Sequence, residues 1–522
     1  MLLHGWRRGL VALLAGALAT LGLAPVNVPA VGFVAFPLLV WLLDGASGEP
    51  GRGRIRRALP AFRIGWCFGF GYFLAGLWWL GAAILTDPAF LWALPLAVLG
   101  LPLVLAVYHG LASAVARMVW SDGPGRVFAL AASFAGFEYL RGVLFTGFPW
   151  NEIGVLAAPV PLLMGSASLV GLHGLTLLAV LIFSLPALVV GTRRGRSAVW
   201  ALGLVLVAGH AGFGAWRLAE VPDGTAPNVR LDIVQPNILQ SQKWDPEEAE
   251  RNFARLLDLS APRTALEAGD RRLVVWPESA FPFILTDRPD AVGRLADTLG
   301  EADTLLAGAT RVEGPTTSPA ARFYNSLYEI DGEGAIRGAA DKLHLVPFGE
   351  YLPFQALLES WGVSQLTQLP GGFSPGTKRQ IMASGDAGPS FLPLICYEAI
   401  FADEIAGDLQ TRPDFLLNVT NDAWYGLTPG PYQHLRHAQL TAASFGLPLV
   451  RAANTGISVV TDSAGRPVAG LGLGEGGTLE ARLPLAGATT VFARLGNAPF
   501  AVLLVATALV ALVCAFRSRR SR

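Results

Sequence analysis

The chain reads as a bundle of eight transmembrane α-helices carrying an α/β domain, and three observations predict this. Hydrophobic residues fill 52% of the 522 positions and charged ones only 15%, too apolar a balance for a chain surrounded by water. Apolar runs long enough to cross ~30 Å of hydrocarbon recur through residues 1–219 and return once near the end. Between them, over 220–490, short β-branched runs alternate with amphipathic charged segments, the pattern of strands covered by helices.

The apolar runs lie at about 9–24, 28–44, 62–85, 89–116, 127–146, 161–190, 197–217 and 496–516. The first follows Arg7 and Arg8 in the manner of a signal peptide, but a second run comes at once, which predicts an uncleaved helical hairpin. Orientation follows from arginine bias in short loops. Arg7/Arg8, Arg52/Arg54/Arg56/Arg57/Arg63, Arg117/Arg126, Arg193/Arg194/Arg196 and Arg517/Arg519/Arg520/Arg522 alternate with loops nearly free of basic residues. Both termini are therefore expected in the cytoplasm, with seven spans in 1–219. The 220–490 block is expected on the opposite, outer face of the membrane, and 491–522 as an eighth span with a cytoplasmic tail.

Within the fifth run, Glu138 and Arg141 are three residues apart and share one helix face, where they can pair with each other or meet a lipid head group. The outer loop Thr146-Gly147-Phe148-Pro149-Trp150-Asn151 offers Trp150 as an interface anchor or a substrate contact.

Composition also excludes. A formal net charge of zero argues against nucleic acid as a partner, since phosphate binding needs a basic excess. Three cysteines make no disulfide framework: Cys67 and Cys514 sit in apolar runs, and Cys396 is alone in the polar block. His434 and His437 lack neighbouring Cys or carboxylate ligands, so neither a metal nor another cofactor is expected.

In the polar block the strand candidates are Arg230–Val234, Leu273–Trp276, Thr304–Ala307, Asn325–Ile330, Phe391–Ile395, Phe415–Val419, Leu449–Ala452 and Ile457–Thr461. Helices are expected over Pro246–Leu259, capped by Asp245 with Glu248 three residues on, and over Asp290–Leu299, Ala402–Leu409 and Pro431–Phe445. Ligands of such sheets bind where strands end at their carboxyl edges. Glu278, Cys396 and the pair Asn421-Asp422 each follow a predicted strand.

Cys396 closes the apolar run Phe391–Ile395 and is followed by Tyr397-Glu398. A free cysteine is mostly thiol at neutral pH, so a nucleophile needs a base and a positive charge nearby. Glu278 can take the proton, while Lys342 and the backbone N–H of Tyr397 can hold a developing oxyanion. Taken singly, a buried cysteine is usually a small hydrophobe, and a Glu or Lys after a strand is usually a solvated charge.

The flanking residues carry more. Trp276-Pro277-Glu278-Ser279-Ala280, Lys342-Leu343-His344-Leu345-Val346-Pro347-Phe348-Gly349-Glu350-Tyr351 and Ile395-Cys396-Tyr397-Glu398 resemble the three catalytic motifs of the nitrilase (carbon–nitrogen hydrolase) superfamily. With Gln235-Pro236-Asn237 and Lys243-Trp244 upstream and Asn418–Tyr425 downstream, the chain is similar over essentially its whole length to the apolipoprotein N-acyltransferase family. The resemblance implies a nitrilase-like αββα sandwich and a transfer of a fatty acyl chain from a phospholipid to the α-amine of the S-diacylglyceryl cysteine of an apolipoprotein. It implies Glu278 as general base, Cys396 as the nucleophile that becomes a thioester, Lys342 as oxyanion partner and Glu350 as supporting carboxylate. Trp244, Tyr397 and Glu398 map onto positions that handle substrate.

A membrane-anchored amidase would use the same three residues with water as acceptor, although eight spans are extravagant as a tether. A transporter or scaffold reading lacks paired broken helices. Finally, Phe354–Pro375 holds Leu357, Leu358, Trp361, Val363, Leu366, Leu369 and Phe373, with Gly371 and Gly372 as hinges. So many large apolar groups suggest either core packing or a mobile lid, with Trp361 touching lipid.

Overall fold

A computed structural model describes residues 4–46, 48, 53–189, 196–315, 318, 320–360, 362–367, 371–385 and 388–520. Trp361 and Leu369 of the expected lid, and Arg52, Arg193, Arg194 and Arg522 of the charge pattern, lie outside the described residues. The chain separates into two compact units: Met1–Gly81 with Trp92–Glu220 and Thr489–Arg522, and Ala82–Leu91 with Val221–Ala488.

In the first unit the apolar runs are helical. Among the described residues five helices are long and apolar enough to cross a membrane: Ile55–Ile84, Pro88–Met118, Ala167–Leu188, Arg196–Ala219 and Ala498–Arg520. The three other expected spans are helices too, but Trp6–Ala19 and Gly32–Asp44 have 14 and 13 residues, and Gly125–Val143 carries Arg126, Glu138 and Arg141. Glycines let helices approach: a Cβ on Gly16 would strike the Phe68 carbonyl, and one on Gly71 the Leu13 carbonyl.

Glu138 and Arg141 pair with each other, both wholly buried, and Glu138 Oε1 also meets His109 Nε2 at 2.5 Å. The head-group alternative therefore does not describe them; the charges neutralise one another inside the bundle. Arg141 also donates to the carbonyls of Phe148 and, at 3.0 Å, of Trp150. Trp150 is 1% exposed, its ring 5.2 Å from that of Trp79. This corrects the reading of Trp150 as an interface anchor: the arginine pulls the aromatic loop inward.

The second unit contains, among the described residues, twelve strands: β1 Thr225–Gln235, β2 Arg271–Trp276, β3 Asp303–Glu313, β4 Arg322–Asp331, β5 Ile336–Asp341, β6 Met382–Ala383, β7 Ser390–Ile395, β8 Phe415–Thr420, β9 Leu449–Ala453, β10 Ser458–Thr461, β11 Pro467–Leu471 and β12 Gly477–Pro484. They form two six-stranded sheets, in the orders β12-β1-β2-β3-β4-β5 and β11-β10-β9-β8-β7-β6. Each has a parallel trio at its centre, β1-β2-β3 in one and β7-β8-β9 in the other, with antiparallel strands outside.

The period of two in each strand decides which residues meet which layer. Leu231, Ile233, Leu273, Val275 and Leu306 of the first sheet pack with Phe391, Ile395, Phe415, Leu417, Val419 and Val450 of the second. The alternate residues Val274, Trp276, Leu305 and Ala307 face outward onto Phe253, Leu256, Ala291 and Leu295, which come from the helices Ala249–Ser260 and Pro289–Thr298. The layers are thus helix, sheet, sheet, helix, with Pro429–Phe445 outside the second sheet.

One helix start differs from expectation. Asp245 does not cap a helix at Pro246: its Oδ1 accepts from the Glu247 N–H at 2.9 Å and its carbonyl from Glu248 at 3.0 Å, closing a turn, and the helix begins at Ala249.

Candidate active site

Strand direction brings the chemistry to one edge. β2 and β3 run parallel, β4 reverses and β5 reverses again, so the carboxyl ends of β2 and β5 lie on the same side. Glu278 follows the first of these and Lys342 the second. In the facing sheet β7 and β8 run parallel and end at Ile395 and Thr420, which places Cys396 and the Asn421-Asp422 pair.

The turn at Glu278 presses against β3. A Cβ on Gly308 would lie 2.5 Å from Glu278 Cα and 2.5 Å from the Pro277 carbonyl, so only glycine lets the turn seat there. Ala280 donates to the Gly308 carbonyl at 2.7 Å. Cys396 has a φ of 54°, a left-handed conformation uncommon for a side-chain-bearing residue, and starts the short 3-10 turn Cys396–Ile400.

Glu278, Lys342, Glu350 and Cys396 are all buried. Lys342 Nζ lies 2.9 Å from Oε1 and 2.9 Å from Oε2 of Glu350, and 3.6 Å from Oε1 of Glu278. Glu278 Oε2 accepts from the Asn421 N–H at 2.8 Å, and the nearby Cys396 thiol helps keep the carboxylate ionised. Glu350 Oε2 accepts from the Val346 N–H at 2.7 Å.

Burial works to raise the pKa of Glu278, but the charges of Lys342 and Lys243 and the bonds from Asn325 and Cys396 outweigh it and hold the carboxyl below its ordinary range. For Cys396, burial and then the Glu278 charge push the thiol up, against the pull of Lys342. Burial favours a neutral Lys342, yet Glu350 first and Glu278 second keep it firmly charged. The resting site is accordingly thiol, carboxylate and ammonium. A proton passing from Cys396 to Glu278 leaves the net charge unchanged, and the thiolate it creates faces the Lys342 ammonium.

Three supporting residues had no clear mark in the sequence. Asn325, buried within β4, gives one amide hydrogen to Glu278 Oε1 at 2.7 Å and the other to Glu350 Oε1 at 2.8 Å. Lys243, 5% exposed, donates to the Glu278 carbonyl at 2.8 Å; burial lowers its pKa to about 8 against the charges of Glu278 and Cys396. Thr420 lies behind the sulfur, its hydroxyl oxygen 3.2 Å from Sγ. Asn325 was legible only as one polar residue in an apolar strand, Lys243 only as the neighbour of Trp244.

The remaining candidates divide. Trp244 is 47% exposed beside the buried Lys243. Tyr397 is buried with its ring 4.8 Å from that of Phe401 and 5.6 Å from that of His344. Glu398 is buried and committed to protein: Oε2 accepts from the Ile395 N–H at 2.8 Å, and Oε1 from Leu343 N–H at 3.0 Å and Arg379 at 3.2 Å. It therefore ties the Cys396 turn to the segment that follows Lys342. Trp150 belongs to the other unit, and Trp361 lies outside the described residues. No group of His, Cys, Asp or Glu able to hold a metal ion occurs among the described residues.

The comparison with known proteins follows the division of the chain. A family model described as Apolipoprotein N-acyltransferase N-terminal domain matches residues 15–185, and one described as Carbon-nitrogen hydrolase matches 230–491. The apolipoprotein N-acyltransferase of Brucella suis biovar 1 (strain 1330) is 50% identical over 488 residues, 93% of this chain and 91% of the relative. The chain belongs to the apolipoprotein N-acyltransferase family. Another apolipoprotein N-acyltransferase, from Rhizobium etli (strain CIAT 652), is 51% identical over 490 residues, covering 92% of this chain and 91% of its own. A solved amidase of the nitrilase superfamily from Nesterenkonia AN1 is 21% identical, aligned over 51% of this chain and 93% of its own, with a TM-score of 0.36. In this member of the apolipoprotein N-acyltransferase family the carbon–nitrogen hydrolase match takes in both sheets, except the start of β1, and includes Glu278, Lys342, Glu350 and Cys396.

Proposed function

We propose that this chain transfers a fatty acyl chain from a phospholipid, through a thioester on Cys396, to the N-terminal α-amine of the S-diacylglyceryl cysteine of apolipoproteins. The observation that carries the reading is the buried meeting of Glu278, Lys342 and Cys396 in a chain that belongs to this family.

In the first half-reaction Glu278 accepts the thiol proton and Cys396 attacks the ester carbonyl of the donor. Lys342, with the Tyr397 N–H, faces the oxyanion; Glu350 keeps the ammonium in place. The departing alkoxide recovers the proton from Glu278. In the second, the acceptor amine attacks the thioester and gives its proton to Glu278. Trp244, Tyr397 and Trp361 serve substrate handling, and Glu398 positions the turn and the Lys342 segment.

Both substrates carry acyl chains, and moving one from lipid to water costs about 0.8 kcal/mol per CH₂, so the thiol has to be brought to the bilayer. We take the five long apolar helices together with Trp6–Ala19, Gly32–Asp44 and Gly125–Val143 as eight spans of a bacterial inner membrane. The domain of 220–490 then faces the periplasm and both termini the cytoplasm.

Purified protein incubated with radiolabelled phospholipid tests the reading. We expect a hydroxylamine-sensitive label on Cys396 that chases to an amide when a diacylglyceryl peptide is added, and no label on the Cys396→Ala variant. Release of free fatty acid alone would make the protein a hydrolase, and an alanine variant keeping even a few per cent of transfer would end the assignment.

A further inference from the structure

Thr420 is the last residue of β8 and wholly buried. Its hydroxyl oxygen lies 3.2 Å from Cys396 Sγ and 3.1 Å from Asp422 Oδ1. A hydroxyl has one hydrogen, so it serves one of these acceptors at a time. Asp422 is held independently through Oδ2, which takes Arg451 Nη2 at 2.7 Å, while Oδ1 lies 2.8 Å from His434 Nδ1. A neutral sulfur is a weak acceptor beside a carboxylate, whereas a thiolate is a charged one that competes for the hydrogen.

The charged and titratable groups around the sulfur are Glu278, Lys342, Asp422, Lys243 and Tyr425. Glu278 and Asp422 oppose a thiolate and Lys342 favours it. A hydroxyl at 3.2 Å adds stabilisation without adding charge.

Resting on the reading of Cys396 as nucleophile, we propose that Thr420 is a further catalytic residue, whose hydrogen sits on Asp422 while Cys396 is a thiol or thioester and turns to Sγ whenever the sulfur is a thiolate. No proton leaves Thr420. In acylation the thiol proton goes to Glu278, an S–C bond forms to the donor carbonyl as its C–O bond breaks, and the alkoxide takes the proton from Glu278. In transfer an N–C bond forms, the S–C bond breaks, and the amine proton reaches the departing thiolate by way of Glu278. The thiolate opens the first half and closes the second, so Thr420 acts twice.

Replacing Thr420 with valine keeps the shape, removes the hydrogen and leaves Asp422 paired with Arg451. The test uses the full-length protein in detergent. Alkylation of Cys396 by iodoacetamide is followed across pH on the Cys396 peptide by mass spectrometry, beside thioester formation from labelled phospholipid and its chase to a diacylglyceryl peptide. For Thr420→Val we expect alkylation near pH 8 to slow about tenfold, the thiol titration to move up by about one unit, and both half-reactions to slow by a similar factor. Thr420→Ser should stay within about twofold of the unmodified protein on every measure.

A folded valine variant with alkylation within about twofold overturns the proposal, as does a serine variant that loses as much as valine, because the methyl group and not the hydroxyl would then matter. Failure of both Thr420→Val and Thr420→Ala to fold overturns it too, assigning the hydroxyl to the fold. Absence of label from Cys396 in the unmodified protein instead fails the reading of the nucleophile, whereas normal label with an unaltered valine variant fails only the role of Thr420.

Discussion

Glu278 and Glu350 share a donor: the two amide hydrogens of Asn325 Nδ2 go one to each Oε1, at 2.7 and 2.8 Å. The amide keeps two carboxylates next to a single ammonium from repelling one another through empty space. Asn325→Asp replaces the donor with a third carboxyl and should raise the proton affinity of Glu278. We expect acylation at pH 7 to fall at least about tenfold, a barrier change of about 1.4 kcal/mol, with its acidic limb shifted upward. An unchanged pH profile in the folded variant assigns Asn325 to packing alone.

Glu350 holds Lys342 with both oxygens at 2.9 Å. Glu350→Gln keeps one acceptor and removes the charge, so Lys342 is freer to swing from the oxyanion position. Turnover should drop at least about tenfold with folding preserved. Near-normal turnover would reduce Glu350 to an ordinary ion pair.

Lys243 donates to the carbonyl of Glu278 and adds a positive charge that favours the ionised carboxylate. In Lys243→Met the acidic limb of acylation should move to higher pH, with a smaller slowing of Cys396 alkylation at pH 8 because the same charge favours the thiolate. A loss of activity uniform across pH would mark a structural role only.

Acid should loosen the second unit in a defined window. Burial opposes ionisation of Asp422, but Arg451 and His434 overcome it and hold the pKa at about 2, against an ordinary 3.8. A depressed folded value adds stability above the unfolded pKa that is lost as pH falls through the folded one. The thermal midpoint should be level from about pH 5 to 8 and decline between about pH 4 and 2, with roughly 2 kcal/mol from this residue. Lys342 has the opposite sign: its pKa is raised, so its contribution is complete at neutral pH and fades only in strong alkali. A midpoint unmoved at pH 3 would remove the Asp422–Arg451 pair from the stability of the unit.

The surface near the expected lid separates into two parts. Phe354 and Leu357 are 84% and 50% exposed, whereas Phe373 is buried, donating to the Glu350 carbonyl at 2.8 Å. Phe373 is thus no part of a lid; it seats the segment beside the carboxylate that holds Lys342. Phe354→Ser with Leu357→Ser should weaken transfer from vesicle-embedded donors several-fold and leave Cys396 reactive to iodoacetamide. Parallel loss of both would place these residues in the core.

Eight of the twelve strands were legible because each carries an apolar run that ends in a turn. The missed ones lie at or toward sheet edges: Ile336–Asp341 and Pro467–Leu471 are largely solvated, Gly477–Pro484 begins with Gly-Thr, and Met382–Ala383 has two residues. Exposed edges need no alternation, so sequence does not mark them. Glu278 and Cys396 stood out as polar breaks after strands, and Lys342 through the motif that runs from it to Tyr351. Asn325 and Thr420 did not, since a buried polar residue inside a strand looks like any other until its partners are known. The capping motif at Asp245 misled for a similar reason: its side chain closes a turn two residues on instead of a helix.

The φ of 54° at Cys396 reaches beyond mechanism. A side chain held there costs on the order of 1–3 kcal/mol, which glycine would recover. Cys396→Gly should therefore relieve the backbone, whereas Cys396→Ala, which keeps the Cβ, should not. A cysteine at position 396 thus carries a backbone cost that glycine would not, which the fold around it has to offset.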